Sequence, residues 1–307
     1  DTGTAVMFIT HDMAVVAQMA DRVVVMFRGN KVEEGTVEEI FENPQHPYTK
    51  ALLAAVPKLG EMRGKAAPEP MKLLGSDQGE IKPILGTSEP LLAVTGLTTR
   101  FPVTGGLLRR VVANVHASED ISFTINKGQT LSLVGESGCG KSTVGRSLLR
   151  LVEPLSGQIT LDGKEIMEMN QSELRESRLD MQMIFQDPFA SLNPQMQLID
   201  QVAEPMRNYG TEIGQALTDR VEMLFDRVEL PRSFLRRFPH ELSGGQRQRV
   251  AIARALALNP KLIVADEAVS ALDVSVQAQV VNLMMELQAE MGLSYLFISH
   301  DMAVVER

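Results

Sequence analysis

A glycine-rich segment near the middle of the chain has the residue types and spacing that bind phosphate. Residues 135–142 read Gly-Glu-Ser-Gly-Cys-Gly-Lys-Ser, after a strand-like apolar run and before a helical pattern. Glycines let backbone N–H groups turn toward phosphate oxygens, and the N-terminus of the following helix adds partial positive charge. An ordinary glycine turn is the alternative, but the strand before and the helix after favour phosphate binding. The expected nucleotide contacts are Gly135, Ser137, Gly138, Cys139, Gly140, Lys141, Ser142 and Thr143.

Two side chains of this segment have further roles if the phosphates belong to a nucleoside triphosphate. Lys141 is long enough to reach the β- and γ-phosphates, and the Ser142 hydroxyl is a suitable Mg²⁺ ligand. A second candidate for Mg²⁺ is Asp266, at the end of the apolar run Leu262–Ala265. Carboxylates that end a buried strand lie at the sheet edge where nucleotides bind. Glu267 follows directly, and we expect it to act as the general base on the attacking water.

A third motif opens another helix. Residues 242–249 read Leu-Ser-Gly-Gly-Gln-Arg-Gln-Arg, in which the serine and two glycines form a second potential anion site at a helix N-terminus. A plain helix cap is the alternative. The string resembles the signature of the ABC ATPase family, and that resemblance extends over nearly the whole chain. It implies that Ser243, Gly244, Gly245 and Gln246 contact an ATP held by the glycine loop of an opposite domain.

The same resemblance implies roles for residues that the spacing alone leaves open. Gln186 matches the family's glutamine that contacts Mg²⁺ and the attacking water, and His300 matches its switch histidine at the γ-phosphate. Ser270–Asp273 matches the loop that crosses between paired domains. Phe101 is the expected adenine-stacking aromatic, with an ordinary core phenylalanine as the alternative. His11 matches the switch histidine of a first domain.

The elements that must position these residues form short apolar runs between helical patterns. We predict strands at 92–97, 121–125, 130–134, 158–161, 262–265 and 295–298, a helix at 141–151, and a polar, helix-rich stretch from about 172 to 257. Buried strands between helices predict a parallel sheet covered on both faces. The expected fold is α/β, a P-loop NTPase of ABC ATPase type with a parallel-sheet core and a helical subdomain.

A long repeat divides the chain. Residues 8–16 and 297–305 are identical at eight of nine positions, so a domain is duplicated rather than a short repeat stacked. We expect 1–58 to be the end of a first ATPase domain, 59–90 a charge-balanced linker, and 91–307 a second ATPase domain without its tail. Both domains are expected to be truncated, and the first residue, an aspartate, suggests a fragment. In the first part we predict a strand-like run at 5–9, a hairpin at 23–33, and helices at 37–41 and 49–55.

The sequence leaves the position of the first domain's tail open. Residues 20–56 are expected to dock where the second domain's own tail would lie, with 23–27 against its sheet. The alternatives are that they pack beside residues 5–11 as a small remnant, or stay disordered.

Composition narrows the class of protein. The net charge is −9, which argues against a nucleic-acid partner, and the single cysteine, Cys139, allows no intrachain disulfide. No apolar run approaches the length needed to cross a bilayer.

Residues 43–53 resemble the tail of ATPases from dipeptide and oligopeptide importers. Three further features resemble the ATPases of glutathione importers: the fusion of two ATPases in one chain, Ala268, and residues 99–102. These resemblances imply an ATP- and Mg²⁺-dependent ATPase that energises glutathione import, with dipeptide or oligopeptide import as the alternative. The expected location is the cytoplasmic face of the bacterial inner membrane, as a peripheral protein. Expected partners are two membrane-spanning permease subunits, a periplasmic solute-binding protein acting indirectly, and a paired ATPase domain within or between chains.

Two more distant alternatives remain. A tandem ABC ATPase acting in translation would carry a long, charged, helical linker. A nucleotide module that does not hydrolyse ATP would carry damaged catalytic residues, but Lys141, Asp266, Glu267 and His300 are all present.

Overall fold

The computed structural model describes residues 3–10, 12–57, 59–65, 68–71, 73, 86–105 and 110–306. The helices are α1 (Met13–Met19), α2 (Val37–Glu42), α3 (Pro47–Ala55), α4 (Lys141–Leu148), α5 (Gln171–Ser177), α6 (Pro188–Ser191), α7 (Leu198–Tyr209), α8 (Gly214–Arg227), α9 (Gly244–Leu256), α10 (Val274–Met291) and α11 (Met302–Val305). The strands are β1 (Arg22–Phe27), β2 (Asn30–Thr36), β3 (Pro90–Gly105), β4 (Arg110–Asn126), β5 (Thr130–Val134), β6 (Ser156–Leu161), β7 (Lys164–Glu165), β8 (Met181–Ile184), β9 (Leu262–Asp266) and β10 (Ser294–Ser299). No described helix is both long enough and apolar enough to span a membrane.

The parallel sheet that positions the site has the strand order β5-β10-β9-β8. All three neighbouring pairs are parallel, and every residue of β9 and β10 is buried. Full burial explains why these two strands are continuous apolar runs rather than alternating ones. The register sets Ile298 beside Asp266 and Ser299 beside Val134, so the carboxyl ends of β5, β9 and β10 lie at one edge.

A second sheet corrects the predicted topology. The strands predicted at 92–97, 121–125 and 158–161 lie in an antiparallel sheet with the order β4-β3-β6-β7, not in the parallel one. Short apolar strands flanked by turns look alike in sequence whichever sheet they join, because strand pairing depends on distant residues. The long hairpin of β3 and β4, which extends to Gly105 and Arg110, was also not predicted.

One strand was missed and one helix boundary was wrong. The stretch from 172 to 257 is largely helical, but it contains β8, the edge strand of the parallel sheet. Helix α4 ends at Leu148 instead of residue 151, and Arg150 adopts a positive φ of 47° that is incompatible with continuing the helix. The helical part itself is confirmed: α7, α8 and α9 pack together around buried residues such as Val202, Phe225 and Val250.

The elements from α1 to α3 form a small unit beside the part of the chain that holds the two larger sheets. β1 and β2 form a hairpin, and Phe27 stacks on Tyr48 of α3 with ring centroids 4.1 Å apart. Among the described strands β1 pairs with β2 only, so residues 23–27 do not join either of the larger sheets. α3 nevertheless contacts α10.

The predicted strand at 5–9 is not present. Residues 3–10 have no regular structure, and Val6 and Ile9 are 79% and 87% exposed. The repeated segment in β10 is a strand because it lies between β5 and β9, whereas residues 5–9 have no neighbouring strand in the described part of the chain.

Candidate nucleotide-binding site

The glycine-rich loop joins β5 to α4, as predicted, and its backbone requires glycine. Gly140 caps α4 with φ +100°, and a Cβ there would lie 1.8 Å from the carbonyl oxygen of Ala117 in β4. Gly138 also has a positive φ, of 80°. Ser137 and Cys139 are exposed in the loop, and Thr143 is half-buried in the first turn of α4. The loop is therefore a tight turn whose conformation few other residues could adopt.

Lys141 folds its side chain back over this loop. Its ammonium donates hydrogen bonds to the carbonyl oxygens of Gly135 at 2.8 Å and Glu136 at 2.7 Å, and the residue is only 6% exposed. A buried ammonium needs such partners because desolvating a charge is costly. The positive charge is thus concentrated at the mouth of the loop.

Ser142 and Asp266 bring two oxygen ligands together at the edge of the sheet. The Ser142 hydroxyl donates to Asp266 Oδ1 at 2.7 Å. Asp266 has no exposed surface, its Oδ2 accepts no hydrogen bond, and the nearest cation is Arg146 Nη2 at 3.8 Å. Burial raises the pKa of Asp266, and the hydrogen bond from Ser142 partly opposes that shift. No cluster of three or more His, Cys, Asp or Glu residues is placed for a metal in the described ranges.

Three strand ends converge on the carboxylate of Glu267. Gln186 follows β8 and donates from Nε2 to Glu267 Oε2 at 2.7 Å, while His300 follows β10 with Nδ1 at 3.6 Å from the same oxygen. Glu267 itself follows β9 with a positive φ of 47°, and its backbone N–H donates to the carbonyl oxygen of Ile298 at 3.0 Å. Its side chain is 12% exposed. An uncommon backbone conformation, fixed by a hydrogen bond to β10, thus aims the carboxylate between the other two side chains.

The predicted signature residues form a separate cluster. Ser243 Oγ accepts from the N–H of Gln246, and Gln246 Oε1 accepts from the N–H of Ser243, a reciprocal cap of α9. Gly244 lies near Leu272, and a Cβ on Gly245 would lie 2.2 Å from Val276. The structure therefore groups these residues with the 270–273 loop. Across the described ranges, no hydrogen bond or ion pair joins them to the glycine loop.

Phe101 is an exposed ring near the glycine loop, so the core alternative is wrong. It is 40% exposed and lies on β3 opposite Val115 of β4. Val115 is two residues before Ala117, whose carbonyl oxygen lies close to Gly140. His11 lies outside the described residues, so the structure gives no position for it.

Two arginines were missed by the sequence reasoning. Arg146 is the nearest cation to Asp266, and its position one helical turn after Ser142 was a usable signal. Arg247 holds α9 to its surroundings: it donates to the carbonyl oxygens of Pro239 and Leu242, and its guanidinium lies 3.9 Å from the ring centre of Phe189. No local pattern indicates the contact with Phe189, which comes from a distant part of the chain.

Comparison with family models gives two matches along the chain. The ABC transporter model matches residues 118–270, and the model of the oligopeptide/dipeptide transporter C-terminal region matches residues 32–79. The chain belongs to the ABC transporter family. The second match places its first part with the oligopeptide/dipeptide type of that family.

The names of individual relatives agree with these two family matches. The glutathione import ATP-binding proteins GsiA of Salmonella paratyphi A and Escherichia coli are each 55% identical to it over 308 residues, 98% of this chain and 49% of the relative. The chain thus spans about half the length of these curated relatives.

Solved structures share the fold of about two thirds of this chain. A dimeric post-hydrolysis state of the ATP-binding cassette MJ0796 bound to ADP and Pi has a TM-score of 0.61 and 29% identity, covering 70% of this chain and 90% of that one. The structure of cbiO1 from Clostridium perfringens, part of the ABC transporter complex cbiONQ, has a TM-score of 0.58 and 26% identity, covering 70% and 80%. These matches agree with the predicted P-loop NTPase fold of ABC ATPase type.

Proposed function

We propose that this chain binds and hydrolyses ATP as part of the ATP-binding protein of a glutathione importer. The observation that carries the proposal is the meeting of Gln186, Glu267 and His300 at the sheet edge that also holds Ser142 and Asp266. The names of the relatives support glutathione as the solute, with dipeptides or oligopeptides as the alternative.

The phosphates of ATP would lie in the glycine loop. Backbone N–H groups of Gly138 to Lys141 line such a turn, and phosphate oxygens would take over the ammonium of Lys141 from the carbonyls of Gly135 and Glu136. Phe101, exposed on the neighbouring strand, would stack on the adenine ring.

The oxygen ligands at the sheet edge fit Mg²⁺. Asp266 presents a buried carboxylate oxygen that has no hydrogen-bond partner, and Ser142 presents a hydroxyl beside it. Mg²⁺ in nucleotide sites takes few protein ligands, because waters and phosphates complete its shell, so the absence of a larger acidic cluster is compatible. Ser142, Asp266 and Gln186 would hold the ion, which supplies positive charge to the phosphate oxygens when bound.

Hydrolysis would depend on the Glu267 carboxylate as general base. It would accept a proton from the water that attacks the γ-phosphate, while Gln186 orients the carboxylate through the 2.7 Å hydrogen bond. His300, 3.6 Å from Glu267, would contact the γ-phosphate. The three groups come from three strand ends, which holds them in fixed mutual positions.

The signature cluster would serve a different ATP. Since Ser243 to Gln246 lie with the 270–273 loop rather than with the glycine loop, they would close on ATP held by an opposite ATPase domain, within or between chains. The dimeric MJ0796 cassette offers a precedent for such pairing. We assign 1–58 to the end of a first ATPase domain, 59–90 to the linker, and 91–307 to the second domain.

Membrane subunits would bind beside the helical part. A groove of about 290 Å³ lies there, with lining from β8, α7 and α9 that includes Met183, Phe185, Pro205, Tyr209, Ala251 and Arg254. Gln186 directly follows Phe185, which lines the groove, and Arg247 of α9 contacts Phe189 close to the signature, so changes at the nucleotide would reach the groove. Two permease subunits would dock here at the cytoplasmic face of the inner membrane, and a periplasmic solute-binding protein would act through them.

Three experiments test this function. In the full-length protein with the first domain's own ATP site disabled, Glu267→Gln should bind ATP but lose most ATP turnover. The exposed Glu290→Gln is the control and should behave as wild type. Unchanged turnover in Glu267→Gln would refute the catalytic assignment. Crosslinkers placed at residues 186–208 should capture cytoplasmic loops of two membrane proteins, and capture of ribosomal components instead would favour the translation alternative. A ligand screen on the cognate solute-binding protein separates glutathione from other peptides.

A further inference from the structure

The connection between the two domains lies against the second domain. Its described residues, 59–65, 68–71 and 73, include two buried methionines, Met62 at 8% and Met71 at 2% exposure. Met71 belongs to the main hydrophobic core of the second domain, and Leu73 packs against the same core. A free tether would not bury an apolar side chain in a domain that follows it in the chain.

One buried side chain on α10 binds the backbone of this connection. Asn282 Oδ1 accepts from the N–H of Met71 at 2.8 Å, and Asn282 Nδ2 donates to the carbonyl oxygen of Met71 at 2.8 Å. Asn282 is 2% exposed and lies between the buried Val281 and Leu283. A buried amide without partners is costly, and one backbone residue satisfies both of its ends here.

Further contacts lie on either side of this pair of hydrogen bonds. The N–H of Gly60 donates to Glu306 Oε2 at 2.5 Å, beyond α11. Lys65 and Glu69 form an ion pair within the connection itself.

The first domain's tail reaches the same helix. α3 contacts α10, the helix that Asp273 caps. Burial, and then the charge of Asp273, raise the pKa of Tyr48 in α3. Tail and connection are therefore both anchored to α10.

We propose that the described residues 59–65, 68–71 and 73 form an interdomain strap, docked on α10 through Asn282, that fixes the first domain's tail to the second ATPase domain. Asn282 recognises the main chain of the strap, and the side chain of Met71 fills the adjoining apolar site. Since α10 begins at the 270–273 loop, the strap ties the tail to the element that carries that loop. This docking does not depend on nucleotide, so it stands or falls separately from the proposed ATPase activity.

The test is limited proteolysis of the purified chain without nucleotide. Trypsin cuts after Arg63 and Lys65, which lie inside the strap. Met71→Glu places a charge in the apolar site but changes no residue of 91–307, and circular dichroism checks that this part stays folded. The matched control is Leu59→Glu, which adds the same charge to the strap at a position that is 72% exposed.

We expect Met71→Glu to speed cleavage at these two sites about tenfold or more. Both side chains are already exposed, but a strap released from α10 can unfold its backbone into the active site of the protease. Leu59→Glu should match wild type. Asn282→Leu, a neutral change in an apolar setting, should have the same effect as Met71→Glu once circular dichroism shows that it is folded. Equal cleavage rates for Met71→Glu, Leu59→Glu and wild type would overturn the strap.

Discussion

Replacing Asp266 with asparagine should stabilise the nucleotide-free protein and greatly reduce the stability that it gains from Mg-ATP. The carboxylate is fully buried, and its Oδ2 has no hydrogen-bond partner. An unsatisfied buried polar group costs about 1–3 kcal/mol, and more when charged. Asparagine removes the charge and keeps the hydrogen bond from Ser142, although its amide nitrogen is also unpaired. We therefore expect the free energy of unfolding to rise by about 1–2 kcal/mol, or the Tm by roughly 2–8 °C for a domain of this size.

The pH dependence of this gain has a defined sign. Burial raises the pKa of Asp266 above its ordinary value of 3.8, so the folded state loses that proton at higher pH than the unfolded state does. The carboxyl therefore destabilises the fold increasingly as pH rises through that window, and the full penalty holds above the raised pKa. The gain from Asp266→Asn should be present at pH 7 and vanish below pH 3.8, where aspartate is protonated in both states.

Thermal unfolding with and without Mg²⁺ and ATP measures both effects. Asp273→Asn is the control, because Asp273 is an exposed helix cap whose carboxylate accepts from the N–H of Val276, and asparagine caps equally well. Wild type should gain stability with Mg-ATP, and Asp266→Asn should gain much less. An Asp266→Asn protein that melts at or below the wild-type temperature at pH 7 would show that burying this carboxylate does not destabilise the fold.

Three further predictions follow from the same site. Lys141→Ala should weaken ATP binding about ten- to hundredfold, because charge-assisted hydrogen bonds to the phosphates are lost; equilibrium titration with a fluorescent ATP analogue checks this, and unaltered affinity contradicts it. Alkylation of Cys139, which is exposed in the glycine loop, should block ATP binding, and Mg-ATP should slow the labelling; equal labelling rates with and without nucleotide would refute this. Gly245→Ala should cost about 1–3 kcal/mol in unfolding free energy, since its Cβ would lie 2.2 Å from α10. Gly244→Ala should be nearly neutral, because its Cβ would lie 3.6 Å from the nearest atom. Comparable chemical denaturation curves for the two variants would count against the packing argument.

Local patterns predicted much of the fold. The hairpin of β1 and β2, the helices α2 and α3, the strand β5 and the loop that leads into α4 lie where periodicity and turn residues placed them. These elements are set by neighbours in sequence: a capping box between Thr36 and Glu39 starts α2, and glycines with positive φ form the loop. The antiparallel sheet, by contrast, depends on β3 pairing with strands on both sides, and no local signal specifies those partners.

The sequence by itself determined which residues are candidates for the chemistry. The glycine-rich loop, the acidic pair that ends β9, and the serine and glycines before α9 each indicate their proposed role through residue type and spacing, because backbone conformation and strand direction are local properties. Their family resemblance added Gln186 and His300, which no spacing connects to Glu267.

Only the tertiary structure decided how these groups meet. It places Gln186, Glu267 and His300 within hydrogen-bond or ion-pair distance, and it leaves Asp266 Oδ2 buried without a hydrogen-bond partner. It also docks Met71 on Asn282, 211 residues further along the chain. The physical reason is that each of these contacts joins strands, helices or a connection distant in sequence. Their distances and burial depend on how sheet and helices pack, and burial in turn sets the pKa and the strength of each hydrogen bond.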